Sequence, residues 1–236
     1  MGLGDILSKS MSYPFSDLTK FLMVGIGVIL YDFDAILSEI FGYDSFIVII
    51  GFIIAILCSF VMAGYSVNVT KKGIDKSNEI PDFDFKNNFI EGLKLFVVVV
   101  IYFLIPIIIT SVLLFILGGT ITGYDLAGAL GIWTVFTTII FIIFGIFGII
   151  AQARFAVSRS IGDALSIGKV FADVKRIGIF KILLFLIVVS ILIVVYIALL
   201  KAVIVVPVIG TVLIDILIGA FIFLFFNYGM GLLYSE

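Results

Sequence analysis

Residues 93–117 read LKLFVVVVIYFLIPIIITSVLLFIL, and this stretch decides the fold. Beyond Lys94 it carries no charge, and it exceeds the ~20 apolar residues that a helix needs to cross a hydrocarbon core ~30 Å thick. Its apolar residues fill every helical face instead of one stripe of 3.6-residue period, so the solvent it is made for is lipid. Residues 45–64, 128–151, 179–200 and 208–228 pass the same test. Residues 18–37 form a weaker sixth candidate, because the clean run 21–31 covers only ~16 Å before Asp32 and Asp34 intervene.

Composition agrees. Hydrophobic residues fill 63% of the 236 positions and charged ones 13%, against about 45–50% and about 25% in soluble domains. Histidine is absent, which removes the commonest general base and zinc or haem ligand and leaves carboxylates, Lys, Tyr, Ser and Thr for any chemistry. Cys58 is the one cysteine and lies in an apolar run, so an intrachain disulfide and a thiolate cluster are excluded and it reads as a small packing residue. Residues 1–20 hold no small-residue cleavage site, and position six is Ile6; neither a cleaved signal peptide nor a myristoylated Gly2 is expected.

The net charge of −2 hides a segregation. With six spans, one side holds Lys9 and Lys20, then Lys71, Lys72, Lys76, Lys86 and Lys94, then Arg154, Arg159, Lys169, Lys175, Arg176 and Lys181, which is thirteen of the 14 basic residues. Only Lys201 falls on the other side. Basic residues stay in the cytoplasm in short loops, so six spans with both termini cytoplasmic is the consistent topology, and residues 1–17 become a cytoplasmic interfacial segment. The expected fold is a single all-α domain over residues 1–236, a polytopic helix bundle. Asp32, Asp34, Glu39 and Asp44 then form an acidic outer connection or the frayed end of the first span. Tyr31, Tyr43, Tyr124 and Trp133 fall where amphipathic rings settle at the outer interface.

The two long basic connections read as amphipathic helices on the membrane surface. In the longer, Ile167, Val170, Phe171, Val174 and Ile177 recur at helical spacing, with Lys169, Asp173, Lys175 and Arg176 opposite. Ahead of it, Ala156, Ser160, Ala164 and Gly168 step by four, a smooth stripe for a helix neighbour. In the shorter, Pro81 interrupts the chain and Asp84 is placed to N-cap a helix beginning at Phe85. The segments after Gly64 and after Ala151 share an outline, at a residue identity too low to call duplication. Lys71, Lys72, Lys169, Lys175 and Arg176 form the candidate lipid or partner surface, with anionic headgroups as the expected neighbours.

Asp215, about five residues inside the last span, is a functional candidate because a carboxylate there is costly. Its simplest structural alternatives are pairing with Lys201 across the connection near Pro207, or solvation at the interface. Pro106 frees the carbonyl of Tyr102 and should kink its helix, with Thr110 and Ser111 able to satisfy local backbone. Gln152 and Arg154, with Asn227 and Tyr228, either line an inward cavity or cap helices at the headgroups. Gly25, Gly27, Gly145 and Gly148 read as close-packing points between helices. Asp82, Asp84, Asn87, Asn88 and Glu91 have hard-cation ligand types without the glycine and terminal glutamate of a calcium loop. No Walker loop, dinucleotide fingerprint or serine elbow occurs, so no catalytic residue, cofactor or metal is expected.

Tyr13-Pro14-Phe15, Gly64-Tyr65, Ile80-Pro81-Asp82-Phe83, Gly92-Leu93-Lys94, Ala153-Arg154-Phe155-Ala156 and Val206-Pro207-Val208-Ile209-Gly210 lie along nearly the whole chain. In these motifs the sequence resembles the uncharacterised prokaryotic membrane family known as domain of unknown function 4013. The family's basic residue soon after Gly-Tyr is replaced by Asn68, with Lys71 coming later. The resemblance implies an archaeal or bacterial cytoplasmic membrane and brings no activity.

The reading is a non-catalytic, multi-pass membrane protein that binds and organises lipid, a membrane-protein partner or a second copy of itself through its basic connections, with no nucleic acid involved. The alternative is a small-solute or ion transporter or channel subunit using Asp215 and the Pro106 kink, which would require a polar path through the bundle. A membrane-embedded lipid enzyme comes third, since no paired acid and nucleophile is visible.

Overall fold

The computed structural model describes residues 1–120, 126–202 and 207–236; Tyr124 and Val206 lie outside them. Among the described residues every regular element is helical. Five helices are long and apolar enough to cross a bilayer: Phe46–Ile74, Phe85–Ile116, Trp133–Ser158, Ile179–Ala202 and Val208–Tyr234. A sixth crossing requires the chain's start. There α1 (Leu3–Ser12) and a 3-10 turn (Tyr13–Phe15) meet α2 (Leu18–Tyr31) at 89°. Asp17 caps α2 by accepting from the Lys20 amide at 3.0 Å. At ~1.5 Å per residue the 14 residues of α2 extend ~21 Å, and the helix gives way at Asp32 to α3 (Phe33–Phe41). The candidate run 18–37 is therefore two helices.

The frame is α4 (Phe46–Ile74), which packs against α2, α3, α5 (Phe85–Thr120), α6 (Leu126–Ser158) and α11 (Ala220–Tyr234). Packing between helices in lipid draws on van der Waals contact and close backbone approach, because apolar burial alone gains little there. Two crossings of α4 show this directly. A Cβ on Gly64 would lie 1.7 Å from the Asn88 carbonyl oxygen, and one on Gly92 would lie 1.7 Å from that of Phe60, so α4 and α5 touch backbone to backbone. Further along, Gly73 and Gly231 do the same for α4 and α11, with Cβ distances of 2.2 Å to the Tyr228 oxygen and 2.1 Å to that of Thr70. Gly25 of α2 meets the Ile216 backbone at 2.9 Å. Gly145 meets nothing within 4 Å, so it is no packing point.

Two expectations about local structure are corrected. The shorter basic connection holds no helix of its own. α4 runs on to Ile74, Lys76 adopts a left-handed backbone (φ 56°), and the chain stays irregular to Asp84, since Pro81 cannot join a helical ladder. The stripe Ala156, Ser160, Ala164 and Gly168 is not continuous. α6 stops at Ser158, Arg159 turns left-handed (φ 53°), and only α7 (Ile161–Ala164) intervenes before α8 (Ile167–Ile177). Pro106 stands inside α5, which is one assigned helix from Phe85 to Thr120. Thr110 Oγ1 donates to the carbonyls of Pro106 at 2.8 Å and Ile107 at 3.2 Å, and the Trp133 ring nitrogen donates to the Thr110 carbonyl at 3.1 Å. Pro106 thus sits at a tied contact between α5 and α6. As the spacing predicted, Asp84 caps α5 through the Asn87 amide at 3.1 Å, and α8 buries Val170, Val174 and Ile177.

The last crossing is built in pieces. α9 (Ile179–Ala202) precedes α10 (Pro207–Ile214), a π-turn (Asp215–Gly219) follows, and α11 completes it. The π-turn packs against α2. Such single-turn expansions inside helices recur at functional sites.

Candidate functional site

Between α2, α4, α6, α9 and α11 lies an open-sided cavity of about 600 Å³. Its polar lining comes from six helical positions and one helix break: Tyr31, Ser59, Ser66, Gln152, Tyr196, Asn227 and Asp32. Ser59 and Ser66 are seven residues apart on α4, so the polar wall extends about 10 Å along the helix axis. At the end nearer the basic connections, the Gln152 amide donates to Asn227 Oδ1 at 3.0 Å and to Ser66 Oγ at 3.2 Å. Asn227 in turn donates to the Phe223 carbonyl at 2.8 Å. Three helices are thereby joined by one polar group each.

At the opposite end Tyr196 donates its hydroxyl to Asp215 Oδ1 at 2.7 Å. Asp215 is fully buried, and its Oδ2 has no hydrogen-bond partner among the described residues. Neither pairing with Lys201 nor interface solvation describes it. The reason is angular: Tyr196 and Lys201 are five residues apart on α9, about 140° around the helix, so the face that reaches Asp215 leaves Lys201 exposed. Asp32 lies near enough to Asp215 to interact with it electrostatically. The described cavity lining includes no Lys or Arg.

The basic end is a lattice of its own. Arg154 leaves the cavity to Gln152 and Asn227. It pairs with Asp163 (2.9 Å from Nε) and Asp173 (2.7 Å from Nη1), tying the end of α6 to α7 and α8. Tyr234 also donates to Asp173, at 2.8 Å. Lys169 reaches Asp163 at 2.5 Å, and this bond, reinforced by Arg154, holds the Asp163 carboxyl below the usual carboxylate range. Tyr228 stacks on Tyr13 with ring centroids 3.8 Å apart and donates to Asn78 at 3.1 Å. The loop carrying Asn78 is held at three more points: Tyr13 donates to the Glu79 carbonyl (3.1 Å), Lys20 to that of Ile80 (2.9 Å) and Tyr65 to that of Pro81 (3.0 Å). Lys20 pairs with Asp82 at 2.7 Å and keeps that carboxyl below its ordinary range.

Most of the motifs quoted for the family resemblance take part in contacts between elements. Tyr13, Tyr65 and Ile80-Pro81-Asp82 meet in one clamp, Gly64 and Gly92 make the α4–α5 crossing, and Arg154 anchors the other basic connection. Asn68, the departure, accepts from Arg159 at 2.7 Å and donates to Asn88 at 2.8 Å. Of the hard-cation ligand types, Asp82 is on Lys20, Asp84 caps α5 and Glu91 pairs with Lys94 at 2.8 Å and Arg159 at 3.4 Å. They do not converge. Lys71 pairs with Asp75, and Lys72 with Glu79 at 3.0 Å, while Arg176 donates to the Tyr234 carbonyl at 2.8 Å. Asp32, Tyr196, Ser59 and Ser66 were not singled out from sequence. Tyr196 carried a signal, a polar hydroxyl inside an otherwise apolar run, and Asp32 was masked by its position among outer acidic residues.

These features define a class: an all-α, multi-pass membrane protein whose bundle holds an open-sided, mostly apolar cavity that carries a few polar groups. The sequence model of the family described as Protein of unknown function (DUF4013) matches residues 47–205, and the chain belongs to that family. Tyr13-Pro14-Phe15 and the Val206–Gly210 motif lie outside the matched residues. No curated protein and no solved structure matches the chain.

Proposed function

We propose that the protein binds a small cationic or neutral hydrogen-bonding solute within the membrane, as a transporter or channel subunit. The observation that carries this reading is the cavity. Its ~600 Å³ falls in the range of small-molecule sites, about 300–1,000 Å³. It is lined by a carboxylate, two hydroxyl-bearing serines and two amides with no basic residue among them, and polar groups at membrane depth mark solute and ion paths. Asp215, joined to the lining through Tyr196, supplies a second carboxylate. The role requires no bond-breaking step. The thirteen basic residues gathered at one end support a cytoplasmic membrane with both termini inside.

The test is flux in proteoliposomes. Na⁺, K⁺ and proton movement under an imposed gradient is compared for the wild type, Asp215→Asn and Gln152→Leu. Flux above protein-free vesicles that falls at least tenfold in Asp215→Asn supports the reading. Flux equal to empty vesicles for all three ions, together with no small molecule retained on purification by mass spectrometry, refutes it. A scaffolding role keeps one observation in its favour, the exposed Ile167 and Phe171 beside Lys175 on α8. A stoichiometric protein partner that co-purifies with the native protein and is lost in Phe171→Asp would support that role.

A further inference from the structure

A second cavity, independent of the first, lies on the flank of the bundle at its basic end. α8 packs on both α6 and α9, and beneath it opens a space of about 710 Å³ lined by Ile143 and Phe147 of α6, Phe171 and Lys175 of α8, and Phe180 and Lys181 of α9. The floor is entirely aliphatic and aromatic, and both charged lining residues are lysines. They are not equivalent. Lys181 is engaged, donating to the Met1 carbonyl at 3.0 Å and lying 3.5 Å from Glu236. Lys175 makes no ion pair among the described residues; its ammonium stands 5.9 Å from the centre of the Phe171 ring, at the C-terminal end of α8. Phe180, 79% exposed, and Phe171, 52% exposed, flank the opening.

We infer that this groove is a binding site for one anionic phospholipid from the leaflet at the basic end. The acyl chain lies along Ile143, Phe147 and Phe180, and the phosphate is held by Lys175 at the rim. Charge complementarity decides the occupant. An apolar floor alone would accept any lipid tail or a partner helix, but the groove ends at an uncompensated ammonium at the level where an interfacial helix such as α8 meets headgroups. Basic pockets between membrane helices select acidic headgroups in this way, each Lys near the surface contributing the equivalent of about fivefold in affinity. A phosphate there replaces the weak cation–ring contact with a charge-assisted hydrogen bond.

The experiment is native mass spectrometry of the full-length protein in detergent, titrated with a mixture of phosphatidylglycerol and phosphatidylcholine of matched chains. The wild type should retain one phosphatidylglycerol in preference to phosphatidylcholine. Lys175→Ala should reduce that preference about fivefold, and Ile143→Trp, which fills the floor and leaves every charge in place, should remove the bound lipid. Lys94→Ala, a basic residue of α5 already paired with Glu91, is the control and should change nothing. Equal retention of the two lipids, or a preference untouched by Lys175→Ala, overturns the inference. Loss in Lys175→Ala with full retention in Ile143→Trp also overturns it, because the lipid would then sit on the surface and not in the groove.

Discussion

Substituting Gly64 or Gly92 by Ala tests whether the α4–α5 crossing sets the bundle. At either position the new Cβ would start 1.7 Å from a main-chain carbonyl oxygen of the opposing helix, whereas Cβ atoms do not approach another atom closer than about 3.0 Å. The helices must therefore part by more than 1 Å, and neither obstacle is a side chain that can swing away. A gap of ~0.5–1 Å forfeits a quarter to a half of each dispersion contact along the seam. The cost belongs at the upper end of overpacking, ~3 kcal/mol, partly offset by the ~1 kcal/mol by which Ala exceeds Gly in helix propensity. A net loss of about 2 kcal/mol in a chain this long lowers Tm by roughly 4–8 °C. Thermal unfolding in detergent, followed by loss of the monodisperse peak on size exclusion, gives the readout. Gly145→Ala serves as the comparison, because its Cβ meets nothing within 4 Å and it should hold or raise Tm. If Gly64→Ala, Gly92→Ala and Gly145→Ala all melt together, the backbone contact is not what holds α4 against α5. The outcome bears on the cavity too, because α4 carries Ser59 and Ser66 into it.

Two further predictions concern the basic end. Arg154→Gln removes the cation shared by Asp163 and Asp173 and leaves the latter, only 13% exposed, with Tyr234 and Arg176; a loss of about 2 kcal/mol is expected from charge-assisted bonds, seen as a Tm drop of roughly 4–8 °C, and a normal Tm would refute the anchoring role. The Asp163 contacts with Lys169 and Arg154 depress its folded pKa, so their contribution is complete above the unfolded value of ~3.9 and disappears as pH falls through the lower folded value. Hydrogen-exchange protection across residues 161–170 should accordingly be level from pH 7 to 5 and fall below about 4, whereas Asp163→Asn should show the low protection already at pH 7.

Two kinds of information are separated in this protein. What the sequence by itself determined are properties summed along the chain: the apolar runs that make five helices long enough to cross a bilayer, the segregation of Lys and Arg, Asp84 as a cap, and the α8 stripe of Val170, Val174 and Ile177. α8 was legible because one of its faces is charged, so polarity marks which side packs. The crossing helices carry no such mark. In lipid a Leu facing a neighbour and a Leu facing the bilayer read alike, and rotation about each axis is chosen by backbone approach at positions such as Gly64, Gly92 and Gly231. Only the tertiary structure could decide that Tyr196, and not Lys201, reaches Asp215, that Arg154 turns away from Gln152 toward two aspartates, and that Asp32 faces a cavity. Those partners are set by where helices distant in sequence cross, and the energy that selects the crossing is close packing, which composition and period do not record.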